Sequence, residues 1–390
     1  MSGLKILSSA CTLIALVGCH SSFTHLDGGS DSATDTGHDT IVDPVPDSPG
    51  DTIVDTTPPP PSGYALHEWG VMVMGSDGGT FHGSGPEYGG PIPAKPVIYL
   101  YADEAFDLDL AIRFASGTPT ETWPEAPLDP ALLWSGLRVE PGPCTATPFP
   151  SPWEDEGYCE ACTLGLTVVE DAACVTYGGQ VATLLFYTGT LPSYESPLEV
   201  DATLMTGVDG SSQLSIGAST TGTQAVEGIW VVYRQTTDAC IDPSACGVAA
   251  ADIAWQYIDR VAPGEALGFS VPVQHFEAEL DESGWPIPGT LVLPAAWEDL
   301  GGDLEAALMA RGLSDGETAA FLNAWDTIFF GLMGSDSLYL EPLYSNGAAA
   351  ISFMGRADYD ANLRLETSAP AEEVVRVGMV YEPVLVEVAP

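Results

Sequence analysis

The chain is poor in positive charge. Lysine occurs only at Lys5 and Lys95, and Lys plus Arg total 10 against 55 Asp plus Glu, a formal net charge of −45 over 390 residues. Binding to nucleic acid or to an anionic lipid surface through charge is thereby excluded. Catalytic signatures are scarce too. No phosphate loop is present. Gly312-Leu313-Ser314-Asp315-Gly316 fits the G-x-S-x-G pattern, but that motif needs a strand before it, and here a helical pattern precedes it. Cys159-Glu-Ala-Cys162 has no second CxxC at zinc-ribbon spacing, and His67-Glu68 lacks the second His of H-E-x-x-H. Asp358-Tyr359-Asp360-Ala361-Asn362 opens like an EF-hand loop but has Leu363 at position six and Ala369 at position twelve, so calcium ligation fails.

Apolar residues make up 45% of the chain, enough for a large core. Residues 1–19 read as a signal peptide: Lys5 gives the positive region, and Ile6 to Val17 an apolar stretch too short to span a bilayer. The end of this segment, Leu16-Val17-Gly18-Cys19, resembles the lipobox of bacterial lipoproteins. That resemblance implies cleavage before Cys19, lipidation of its thiol and palmitate-type acylation of the new N-terminus. Several acyl chains anchor stably where one does not. With His20 rather than Asp next to Cys19, it further implies the outer membrane, with the body periplasmic or surface-exposed.

Residues 20–62 read as a disordered tether. Asp27, Asp31, Asp35, Asp39, Asp43, Asp47, Asp51 and Asp55 recur every fourth position, but Gly28, Gly29, Pro44, Pro46, Pro49 and Gly50 exclude a helix. Asp-Thr-Ile-Val-Asp occurs twice, at 39–43 and 51–55. Like charges so spaced extend the chain, which spans about 35–40 Å or more as a coil.

Six cysteines follow Cys19: Cys144, Cys159, Cys162, Cys174, Cys240 and Cys246. An even number in an exported chain favours disulfides. Cys240 and Cys246 bracket a turn-rich loop and are expected to pair. The other four belong to a Pro- and acid-rich insertion at 141–174, and their connectivity stays open.

The expected fold is mainly β: an antiparallel β-sandwich-like domain over 63–293, a short two-helix insertion at 294–334, and strands at 335–390 that complete the β domain. Val97 to Tyr101 is an unbroken apolar run, whereas Phe106, Leu108, Leu110, Ile112 and Phe114 alternate with polar residues. The four-residue gap between them predicts an antiparallel hairpin. Strand-like runs recur at Leu132–Val139, Val181–Tyr187, Val200–Thr206, Gln213–Ala218, Ile229–Arg234 and Leu267–His275, then at Leu338–Tyr344, Ala350–Met354 and Val374–Tyr381. Ala249 to Val261 is expected to be a short helix. Leu300, Leu304 and Leu308 mark one amphipathic helix, and Phe321, Trp325, Ile328 and Phe329 a second, with Ser314 and Glu317 at capping-box spacing.

Several runs together resemble an uncharacterised family of exported bacterial proteins of planctomycete and myxobacterial type. They are His67-Glu68-Trp69-Gly70, Gly75-Ser76-Asp77-Gly78, Lys95-Pro96-Val97-Ile98-Tyr99-Leu100-Tyr101, Gly117 with Glu121-Thr122-Trp123-Pro124, Leu184-Leu185-Phe186-Tyr187, Arg311-Gly312-Leu313, Trp325, Leu338-Tyr339 and Val375-Arg376-Val377. The chain departs from the family pattern at Val71-Met72 and Phe329-Phe330. The resemblance implies a shared fold and export, and brings no activity.

Three functions are carried forward. The leading one is a non-enzymatic binding or structural module at the outer membrane, without a cofactor, whose extracytoplasmic ligand or protein partner is unknown. The alternative is a metal-dependent hydrolase in which His67, Glu68, His82 and His275 hold a divalent cation with an open position. The third is a carbohydrate-binding surface protein using Tyr99, Tyr101, Trp123 and Trp134 as a platform. Lys95 is expected to pair with Glu68 or Asp103, or to meet an acidic ligand. Lipidation is directly testable: Cys19→Ser is expected to abolish incorporation of labelled palmitate, and a wild-type chain that stays unlabelled would refute the anchor.

Overall fold

The strand-forming runs are realised in a computed structural model that describes residues 63–75, 78–82, 96–129, 131–143, 169–242, 245–287, 289–331 and 347–389. Along the chain the strands are β1 (Tyr64–Gly75), β2 (Gly78–His82), β3 (Val97–Ala102), β4 (Phe106–Phe114), β5 (Pro119–Trp123), β6 (Leu132–Glu140), β7 (Cys174–Tyr177), β8 (Gln180–Ala182), β9 (Leu185–Leu191) and β10 (Leu198–Thr206). They continue as β11 (Ser212–Thr220), β12 (Val226–Asp242), β13 (Ala245–Val261), β14 (Ala266–Pro272), β15 (Gln274–Glu277), β16 (Gly347–Phe353), β17 (Leu363–Thr367), β18 (Glu373–Val384) and β19 (Val386–Val388). The helices are α1 (Ala295–Glu298), α2 (Leu300–Met309), α3 (Asp315–Phe330) and α4 (Arg356–Asn362). The protein is mainly β, sandwich-like and rich in antiparallel pairs, with a short helical pair near the C-terminus.

A large sheet runs in the order β15-β13-β12-β16-β18-β1-β2-β9-β3, with β5 paired to β9 and β3 also paired to β1. Its middle pair, β1 and β18, is parallel. A sheet of β14-β11-β10-β19 and another of β17-β4-β6-β7-β8 complete the fold. Alternation assigns the layers. Trp69 of β1, Tyr381 of β18 and Arg234 of β12 face the helices: Trp69 packs edge-on against Phe321, Tyr381 stacks on Phe329, and Arg234 donates to helix carbonyls. On the opposite face, Ile229, Val231 and Tyr233 of β12 share a core with Leu214 and Ile216 of the four-stranded sheet. Tyr64 of β1 meets Phe106 of the five-stranded sheet there. Helices thus cover one face of the large sheet, and the two smaller sheets cover the other.

The helix signals read from the sequence hold. Ser314 is the N-cap of α3 in a reciprocal capping box with Glu317, and Phe321, Trp325, Ile328 and Phe329 are buried, as are Leu300, Leu304 and Leu308. At the other end of α3, Arg234 donates to the carbonyls of Ile328, Phe329 and Gly331 at 2.7–3.0 Å. Those carbonyls lack partners within the helix, and a cation suits the negative end of its dipole.

Two expectations need correction. Val97–Tyr101 and Phe106–Phe114 are strands but not a hairpin: β3 pairs with β1 and β9, whereas β4 pairs with β6 and β17. Val97 to Leu100 are buried without alternation, so β3 belongs inside a sheet covered on both faces, while the one-sided β4 covers another layer. The intervening turn crosses between layers. Ala249–Val261 is not a helix but most of β13, paired with β12 along its length. Both faces of β13 are covered, Ala251 and Ile253 by one core and Ala254, Ile258 and Val261 by the other, so its apolar residues lose the period of two and mimic a helix. The run Leu338–Tyr344 lies outside the described residues.

Candidate functional site

Two neighbouring residues of β1, His67 and Glu68, each organise a polar cluster, and strand geometry sends them to opposite faces. Glu68 is fully buried. Its register partner on β18 is Arg376, whose side chain is 1% exposed. Arg376 Nε donates to Glu68 Oε2 at 2.6 Å. The hydroxyls of Tyr187 on β9 and Tyr359 on α4 donate to Glu68 Oε1 at 2.5 and 2.9 Å. The Arg376 guanidinium also lies over the Tyr359 ring, 4.3 Å from its centroid, and its Nη1 donates to Asp360 at 2.6 Å. Asp360 in turn accepts from Arg356 Nε at 2.7 Å.

Electrostatics follow this geometry. Burial opposes the charge on Arg376, but the Glu68 carboxylate beside it wins and holds its pKa above the ordinary value. Burial and then the Glu68 charge push both tyrosine hydroxyls well up, so they stay protonated donors. For Asp360, burial is outweighed by hydrogen bonds from Arg356 and Arg376, and its pKa falls. Both Glu68 oxygens are engaged and the residue is fully buried, so the carboxylate is spent on internal donors rather than turned to the surface.

On the helix face, His67 Nδ1 lies 3.0 Å from both oxygens of Glu317, so Nδ1 carries the proton and donates. Tyr101 OH donates to Glu317 Oε1 and the Ser314 N–H to Oε2, both at 2.7 Å. Burial works against the Glu317 charge, but the bonds from His67, Ser314 and Tyr101 outweigh it and lower its pKa below the ordinary 4.5. The capping residue of α3 is therefore also the residue that holds β1 and β3.

Of the residues proposed for a metal, His67 and Glu68 point to opposite faces of β1 and His275 lies on a distant strand. His275 sits on β15, 55% exposed, with Nδ1 2.7 Å from Asp252 and Nε2 3.2 Å from Glu277, which raise its pKa in that order. Five strand steps separate β15 from β1, about 24 Å at the usual spacing. For His82 the structure describes the backbone alone, opposite Val71. Among the described residues no three His, Cys, Asp or Glu side chains are placed to hold a metal ion. Of the proposed aromatic platform, Tyr99, Trp123 and Trp134 are core residues, and Tyr101 is committed to Glu317. The EF-hand-like run 358–362 lies in α4.

Cys240 and Cys246 face each other across β12 and β13, a register whose usual Cα separation of about 4.5–5.5 Å suits a disulfide. Cys174 is a buried thiol without a bridge among the described residues. Cys144, Cys159, Cys162, Lys95 and Cys19 lie outside them. The partners that sequence reasoning did not assign are Tyr187, Glu317, Tyr359, Asp360 and Arg376. Tyr187 and Arg376 do stand in two of the motif runs, but no local spacing links them to Glu68.

No protein-family profile matches the chain, and no curated protein matches it. Among solved structures, the Fcho1 Mu homology domain of Danio rerio, determined with a bound Eps15 peptide, is similar over 84% of this chain and 97% of that one. The identity is 8% and the TM-score 0.29, too low to carry an argument about this chain.

Glu68→Gln leaves Arg376 buried without its carboxylate and is expected to cost about 3–5 kcal/mol, read by chemical denaturation. Glu68→Met with Arg376→Met should recover only part of that loss, because the two tyrosine hydroxyls still lack their acceptor. A group with a depressed folded pKa stabilises above its unfolded pKa and loses that contribution as pH falls through the folded one. Stability should therefore drop as pH falls below about 4.5, and Glu317→Gln should flatten that part of the curve, followed by denaturation midpoint against pH.

Proposed function

We propose that the protein is a lipid-anchored, extracytoplasmic, non-enzymatic binding or structural module of the outer membrane, held by Cys19 on an acidic tether. The lipobox-like run supports the anchor, and the net charge of −45 speaks against nucleic acid as a partner. The observation that carries the non-enzymatic reading is the closure of both polar clusters. Glu68 of β1 and Glu317 of α3, the carboxylates at the centre of the two clusters, are each at 0% exposure with both oxygens held by internal donors. These clusters join strands and helices rather than present groups to a substrate.

The metal-hydrolase alternative would use His67, Glu68, His82 and His275 at one centre; the opposite faces of His67 and Glu68 and the distant strand of His275 speak against it. The full chain, extracted in detergent from membranes, is expected to fractionate with the outer membrane and to contain zinc and calcium well below one ion per chain. A stoichiometric metal that is required for a hydrolytic activity would refute the reading.

A further inference from the structure

The large sheet loses a strand part-way along. β16 lies between β12 and β18, pairing Ile351 with Trp230 and Phe353 with Met379. After Met354, whose N–H donates to Gly378 O at 2.8 Å, the chain turns at Gly355 into α4. β12 and β18 both extend beyond that point, still paired on their outer sides to β13 and β1. Between them remains a gap two strand spacings wide, about 9.6 Å, which is the room one extended strand requires. It forms an open cleft of about 350 Å³ bounded by Ala225 and Glu227 on one side and Val374–Gly378 on the other. Gly378 O faces this gap, so alternation turns the backbone groups of Arg376 and Val374 into it as well. Val374 O already accepts from Arg356 there, at 3.2 Å.

Three of the eight arginines in this acidic chain, Arg311, Arg356 and Arg376, line the same cleft. Arg311 stands apart from the others. Its guanidinium lies 3.3 Å from the centroid of the Phe353 ring and donates from Nη1 to Ala307 O at 3.0 Å. Among the described residues no carboxylate stands within ion-pair distance of it, whereas Arg113, Arg138, Arg260, Arg356, Arg364 and Arg376 each have one. Burial pushes its pKa down, and the charge of Glu227 across the cleft offsets this only in part. Arg376 Nη2, in a side chain 1% exposed, has no hydrogen-bond partner among the described residues. Unmatched guanidinium donors in a chain with 55 acidic residues mark a place for an outside anion.

We propose that this gap is a peptide-binding slot, in which an extended segment of about three residues continues the interrupted β16 and a carboxylate on that segment is received by Arg311. The backbone edge of β18 supplies the ladder, Phe353 closes one end, and Val375 and Val377 give the apolar lining. This deepens the reading of the protein as a binding module and rests on it.

The test exposes the full chain in detergent to a pooled tripeptide library, made once with free C-terminal carboxylates and once as amides, with acetate and inorganic phosphate titrated separately. Carboxylate-bearing peptides are expected to be enriched. Enrichment confined to the free acids assigns a terminal carboxylate; enrichment of Asp- and Glu-containing peptides in both forms assigns a side chain; either supports the slot. Arg311→Gln should weaken the best peptide about tenfold or more, the value of a charge-assisted hydrogen bond, while Arg113→Gln, outside the cleft, leaves it unchanged. Ala225→Trp, which fills the gap from the β12 side, should abolish binding and needs no change at Arg311. Three results would overturn the proposal: no enrichment of any carboxylate-bearing peptide, undiminished binding by folded Arg311→Gln or Ala225→Trp, or acetate or phosphate binding as tightly as any peptide. None of these would disturb Cys19-dependent membrane fractionation, so the two readings fail separately.

Discussion

The buried contact between Glu68 and Arg376 is the constraint on which the sheet depends. Removing two charges from water costs several kcal/mol per ion, and their attraction repays this only with good geometry and further hydrogen bonds. Here Tyr187, Tyr359 and Asp360 supply those bonds. The gain is one of specificity more than of net stability. β1 and β18 are parallel, and slipping their register by one residue would turn Arg376 to the helix face, leaving two unpaired charges in a dry interior. An apolar pair would fill the same space but tolerate the slip. Through its two tyrosines the contact also fixes β9 and α4.

The same economy operates on the other face, through α3. Its N-terminus is fixed by Ser314 and Glu317, and Glu317 simultaneously holds His67 of β1 and Tyr101 of β3. Its C-terminal carbonyls are taken by Arg234 of β12. Gly312, at φ +98, lets the α2–α3 connection pass close to Val375, where a side chain would be strained and crowded. Both ends of the helix are thus bound by charge to the sheet that its aromatic face covers.

How much of this was legible in the sequence depends on range. α2 and α3 were readable because stripe, cap and break lie within a few residues. β4 was readable because one face meets a core and the other meets water. β13 was not, because layers on both sides erase the alternation that identifies a strand. The pairing of β3 with β1 rather than with β4 is a long-range choice that a four-residue gap does not encode. At the candidate site, His67 and Glu68 stood out as scarce polar residues in an apolar run, yet adjacency in sequence placed them on opposite faces. Their partners lie up to 308 residues away, and no spacing rule reaches that far. Runs that look unrelated along the chain, around Glu68, Tyr187, Gly312 and Arg376, become neighbours only in the folded sheet.

The central position of the parallel pair has a bearing on how the protein is made. β1 finds its parallel mate only in β18, 308 residues further on (Ala65 opposite Glu373), so the middle of the sheet cannot close until that strand has been made. Loop closure over such a distance is slow, and in the meantime β1 has only partial partners. A chain that ripens this late keeps the apolar strand β1 open to other partners for as long as synthesis lasts.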